Sequence, residues 1–118
     1  MKAARISAQG RPLALDLRLA TGMFDRMKGW MGRRSIAEHD ALLIRPCNSV
    51  HTWFMHVPID VVFVDREYRI LGIRDHVRPR RLCAHWRAAA VLELQAGRGA
   101  ALGLVPGLQL QIDAQEAR

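Results

Sequence analysis

Lysine is nearly absent from this chain. Of 18 basic residues only Lys2 and Lys28 are lysines, so the formal charge of +7 is carried by arginine. No segment reaches the run of about 20 apolar residues that a membrane-crossing helix needs. The N-terminus breaks its apolar residues with Arg5, Gln9, Arg11 and Asp16, so no continuous signal-peptide core is expected. The cytoplasm is the expected compartment, where Cys47 and Cys83, the only cysteines, stay reduced rather than pair. There is no glycine-rich phosphate loop, no Ser-His-Asp ordering and no nucleotide fingerprint. There is also no internal repeat and no low-complexity segment. At 118 residues the chain is long enough for one domain with one core.

What is present is strand pattern. Leu13, Leu15, Leu17 and Leu19 alternate with Ala14, Asp16, Arg18 and Ala20, as in a half-buried strand. Arg5 to Ala8 is a short first strand, followed by turn chemistry at Gly10-Arg11-Pro12. Thr21 is a candidate N-cap for a helix from Gly22 to Gly32. In it Met23, Met27, Trp30 and Met31 share one face, read as a core stripe. Ser35 to Asp40 is a loop, and Ala41 to Ile44 an apolar strand. Asp65 to Tyr68 is a polar hairpin connection, and Tyr68 to Ile73 resumes a strand. His76 to Arg87 reads as a long exposed loop. Ala89 to Leu94 is a further strand, Ala96 to Gly103 a helical turn, and Leu108 to Ile112 a last strand. Residues 113–118 read as a tail.

The central stretch runs from Pro46 to Asp65. Val50 to Met55 and Ile59 to Asp65 are rich in β-branched and aromatic residues. With His56-Val57-Pro58 as a turn, the two form an antiparallel pair in which Met55 faces Asp60. His51, Trp53, Met55, Asp60, Val62 and Val64 then share one face, and Val50, Thr52, Phe54, Val61 and Phe63 the other, core face. The first face mixes apolar bulk with a base and an acid, as binding clefts do.

Gly29-Trp30-Met31-Gly32-Arg33, Ala41-Leu42-Leu43-Ile44, His51-Thr52-Trp53-Phe54-Met55, Pro58-Ile59-Asp60-Val61-Val62-Phe63-Val64-Asp65 and Leu92-Glu93-Leu94-Gln95-Ala96-Gly97 follow in order. This series resembles domain-of-unknown-function family 192, a group of small bacterial and archaeal proteins, over residues 21–112. The resemblance implies a single α+β, β-dominated, barrel-like domain of mixed or antiparallel sheet with one or two short helices. It implies no established activity. Many relatives differ across Cys47 to His51, so a role common to the family does not rest on Cys47.

Four groups of residues are candidates for function. His51, Trp53, Met55 and Asp60, with Arg33, form the expected ligand-binding cleft of a non-enzymatic binding or accessory domain. Its occupant is a small ligand or a protein partner. Cys47, His51, Asp60 and Glu93 are the candidates for a hydrolase or thiol enzyme, since an imidazole near a thiol favours the reactive thiolate. Arg78, Arg80 and Arg81 are the candidates for weak, non-specific nucleic-acid binding. A genome rich in G and C is the plainer source of the arginines. Cys47, His51, Cys83 and His85 are four ligands of the type zinc takes, but their spacing matches no common zinc motif. The leading reading calls for no cofactor.

Overall fold

In a computed structural model of the chain, residues 1–28, 30 and 32–115 are described here, without the side chains of Phe24, Met27 and Lys28. Ten strands and two short helices occur among them. They are β1 (Lys2–Ala8), β2 (Arg11–Pro12), β3 (Asp16–Ala20), α1 (Met23–Lys28), β4 (Asp40–Ile44), β5 (Ser49–His51), β6 (Ile59–Val64), β7 (Ile70–Val77), β8 (Leu82–Ala84), β9 (Ala90–Gln95), α2 (Arg98–Ala101) and β10 (Leu110–Ala114). The fold is β-dominated, as the pattern predicts. Among the described residues no helix is long and apolar enough to cross a membrane.

The main sheet runs β10-β1-β3-β4-β9-β6-β7, with β2 paired to β1. Among the described strands only β3 and β4 pair in parallel, joined by the crossover that contains α1. The sheet curls until its ends meet. Leu110 N–H donates to Tyr68 O at 2.9 Å and Gly107 N–H to Ile70 O at 2.8 Å, and Arg69 bridges to Gln109. Gly107 supports that approach with φ +92°, a conformation glycine adopts without a Cβ penalty. The product is a half-barrel.

Burial follows the strand period. In β3, Leu17 and Leu19 are buried while Asp16 and Arg18 face water. In β6 all six residues are buried, because this strand is covered on both faces. Val62, Val64, Leu43, Leu92 and Leu94 fill the inside of the curl. Val61, Phe63, Leu42, Ile44 and Val91 point outward and are roofed by Trp30, Ile36, Met55 and Cys83. The roof comes from the crossover after β3 and from the β5–β8 ribbon laid across the sheet.

Several expectations are corrected. The hairpin between Val50–Met55 and Ile59–Asp65 does not form. β5 pairs instead with β8, setting Val50 opposite Cys83 and His51 opposite Leu82, while β6 pairs with β7 and β9. The longer central strands satisfy β6 on both edges and leave no free edge for residues 50–55. The 76–87 stretch is therefore not one loop: β7 extends to Val77 and β8 lies within it. The helix is shorter than expected, and Arg26 N–H donates to Gly22 O, which puts Gly22 rather than Thr21 at the cap. Gly32, at φ +84°, leaves the helical region. Of the methionine stripe, Trp30 is buried but Met23 is exposed; the side chains of Met27 and Met31 lie outside the described residues. Asp113 and Ala114 belong to β10 rather than a tail, because β1 offers them backbone partners; residues 116–118 lie outside the described part.

Candidate functional site

One buried hydroxyl organises the surface that carries the exposed aromatics. Thr52 follows β5, and its Oγ1 donates to Arg78 O at 2.7 Å and accepts from Arg81 N–H at 2.9 Å. Its backbone N–H donates to Arg81 O at 2.9 Å, and its carbonyl accepts from Arg80 N–H at 3.1 Å. Four hydrogen bonds thus clamp the 52–56 loop to the 78–81 loop. Arg80 sits at φ +64°, a left-handed conformation that costs a non-glycine residue about 1–2 kcal/mol and is held here by the clamp.

The clamp fixes what lies beside it. Trp53 and Phe54 are 53% and 58% exposed, in contrast to the buried Met55 below them. They border a cleft of about 650 Å³ with Met55, His56, Pro79 and Arg80. His51 stands edge-on to both rings, with centroids 6.2 and 6.3 Å away, and its Nδ1 accepts the Trp53 N–H at 3.4 Å. The expected cleft residues His51, Trp53 and Met55 are therefore neighbours, brought together by a loop rather than by strand alternation.

Asp60 is not among them. Its side chain lies on the inner side of the sheet, in register with Leu94 of the inner core. It is fully buried, and its carboxylate accepts the N–H groups of His76 at 2.9 Å, Gly97 at 3.0 Å and Gly99 at 2.9 Å. Three donors satisfy a buried charge, so Asp60 ties the end of β7 and the start of α2 to the barrel. A Cβ on Gly99 would stand 3.1 Å from that carboxylate, so a side chain there would press the carboxylate back by a few tenths of an ångström. Arg33 is also engaged elsewhere. Its guanidinium pairs with Asp40 at 3.1 Å and lies 5.8 Å from the centre of the Trp30 ring.

Glu93 occupies the outer layer, between Leu42 and Val61 on the flanking strands. Desolvation raises its carboxyl to about 7, since burial penalises the charged form. Cys47 sits near enough for Glu93 to act on it. Burial first, and then the Glu93 charge, push the thiol up, against a lowering contribution from the Ser49 backbone; Sγ itself donates to Ser49 O at 3.1 Å. The thiol and the His51 imidazole each turn to their own local backbone, with no hydrogen bond between them among the described residues. Cys83 is buried opposite Val50, and the His85 ring packs 5.8 Å from Phe63 while its Nδ1 accepts Arg87 N–H. Among the described residues, no three His, Cys, Asp or Glu side chains converge as a metal-ligand group.

Sequence reasoning missed Thr52, Phe54, His56 and Pro79. For Phe54 a signal was available. Adjacent rings on one strand point to opposite faces, so Trp53-Phe54 cannot both line one cleft unless the chain turns. Thr52 carries no comparable signal, because its partners lie 26 to 29 residues away.

The fold defines a small β-dominated half-barrel with an aromatic loop clamped to an arginine loop. Residues 4–112 match the sequence model of the family DUF192, described as "Uncharacterized ACR", and the chain belongs to that family. No curated protein matches it. Two solved structures share the fold. One, from Novosphingobium aromaticivorans, is described as a protein of unknown function; it is 21% identical, with a TM-score of 0.79, over 92% of this chain and 83% of its own. The other, from Sinorhizobium meliloti, is described as a "putative transcription regulator"; it is 26% identical, with a TM-score of 0.80, over 93% of this chain and 92% of its own.

Proposed function

We propose that this protein is a non-enzymatic binding domain whose site is the cleft between the 52–56 and 78–81 loops. The observation that carries the reading is the exposure of Trp53 and Phe54 on a backbone held by Thr52. Two large rings left in water on a fixed loop are a feature of recognition surfaces, where rigid aromatics give contact area at low entropic cost. The thiol-enzyme reading has less support, because the Cys47 thiol is pushed up and turned to Ser49 O. The reading calls for no cofactor, and we place the protein in the cytoplasm with both thiols free.

The test is an NMR screen of small anions, aromatic fragments, zinc and oligonucleotides, read at backbone amides. Ligands are expected to shift residues 51–56 and 78–81 together, and a Trp53→Ala, Phe54→Ala double variant to lose the response. Shifts confined to the neighbourhood of Cys47 and Glu93 would move the site there and sink the reading.

A further inference from the structure

We infer that the cleft binds single-stranded nucleic acid, with bases stacked on Trp53 and Phe54 and phosphates on Arg78, Arg80 and Arg81. This rests on the cleft being the binding site and names its occupant. Two features far apart in the sequence meet here. The aromatic block follows β5, and the arginine loop leads into β8, which pairs antiparallel with β5. The Thr52 clamp sets Trp53-Phe54 directly beside Arg80 and Arg81.

The charge around the cleft favours a polyanion. The chain carries +7 formally. Among the described residues the arginine ion pairs are Arg18–Asp16 and Arg33–Asp40, and neither involves the 78–81 loop. Arg78, Arg80 and Arg81 are exposed and make none. Sequence-tolerant single-strand binders combine a basic track with aromatic faces on which bases stack; here Arg80 lines the cleft beside both rings, and Arg78 and Arg81 flank it on the same exposed loop.

The outward side of the β5–β8 ribbon extends the surface. Val50 and Cys83 point down onto the core, while Ser49, His51, Leu82 and Ala84 face water. Just beyond its far end stands Trp86, 86% exposed, with the Arg87 guanidinium 5.8 Å from its ring centre. A strand lying along the ribbon meets an aromatic platform near each end. Arg87 shares its own cleft with Asp65 and Glu67, so the phosphate contacts are assigned to the 78–81 loop instead. Duplex DNA keeps its bases stacked inside and offers the rings nothing, so the single strand is the expected form.

The experiment measures anisotropy of a labelled oligo(dT) of about 20 nucleotides, enough to cover a site of ~4–16. The full chain is titrated at several salt concentrations, beside the matching duplex and vesicles of anionic phospholipid. The expected result is single-strand binding that weakens steeply with salt. Trp53→Ala should weaken it roughly tenfold, and Trp53→Phe should restore most of the loss. Arg80→Ala and Arg81→Ala should each lower the salt slope by about 0.7. Both aromatic positions are exposed, and a thermal melt of each variant confirms its fold. Equal binding of duplex and single strand with no effect of Trp53→Ala would overturn the inference. So would binding to the vesicles alone, although the cleft would then stand as a binding site for an anionic membrane. If neither oligonucleotide nor vesicle binds while fragments still shift residues 51–56, only the nucleic-acid inference falls. If nothing shifts those residues, both fall.

Discussion

Two acids on adjacent strands show how environment decides what a residue does. Asp60 and Glu93 are both buried, but only Asp60 is met by three N–H groups. Asp60→Asn replaces an acceptor with a group that must turn an NH₂ toward one or more of those donors. It should cost about 2 kcal/mol or more, read by urea denaturation. A change under about 0.5 kcal/mol would show that the three bonds do not hold the end of the barrel together. Glu93 acts in the opposite direction. Its folded pKa is raised from 4.5 to about 7, so below about pH 4.5 the carboxyl is protonated in both states and stability is full. As pH rises the unfolded state ionises first, stability falls, and the loss is complete once pH passes 7. A shift of this size corresponds to about 3 kcal/mol. Glu93→Gln should flatten that slope in melts between pH 4 and 8; an unchanged slope would assign it to other groups. At this scale the sequence was only partly legible. A hydrogen-bonded carboxylate is the expected state of a buried acid, and Asp60 has it. Its placement in the cleft failed because its donors come from β7 and α2, distant in the chain.

At the scale of elements, the strands that carry an alternating or continuous apolar pattern were legible: β1, β3, β4, β6, β9 and β10 all lie within the segments read as strands or overlap them. What the pattern did not settle was pairing. Residues 50–55 have strand propensity, yet only Ser49–His51 extends, because the partner is the short β8 and not β6. Propensity is local, whereas pairing depends on which edges remain free after the longer strands have zipped. The Thr52 clamp belongs to this scale, because one hydroxyl joins two loops. Thr52→Val keeps the shape and removes both side-chain bonds, leaving the Arg81 N–H and Arg78 carbonyl without them. The expected cost is about 1–3 kcal/mol. Faster hydrogen exchange at the Arg80 and Arg81 amides should accompany it, since the loops would open locally. Unchanged protection at both amides would show that the backbone bonds alone hold the cleft.

At the scale of the whole molecule the sheet is a wall between two apolar layers, and this explains why one aromatic is core and another is surface. Residue type alone gives Trp53 and Phe63 equal claim to burial. The structure separates them: Phe63 lies on a central strand, 2% exposed, beneath the β5–β8 ribbon, and Trp53 stands on the loop that leaves that ribbon. Removing the Phe63 ring should open a cavity that strands hydrogen-bonded on both edges of β6 cannot collapse, at about 3–5 kcal/mol. A chain of this length has roughly 12 kcal/mol to lose, at ~0.1 kcal/mol per residue, so Phe63→Ala should still fold, with a lower urea midpoint. Trp53→Ala removes a larger ring already half in water, and should stay within about 0.5 kcal/mol of the wild type. The pair of melts separates architecture from site. Equal losses would mean that Trp53 is a structural roof over the outer layer, and the cleft would lose its claim to recognition. A large loss at Phe63 alone would leave Trp53 exposed for a reason other than stability.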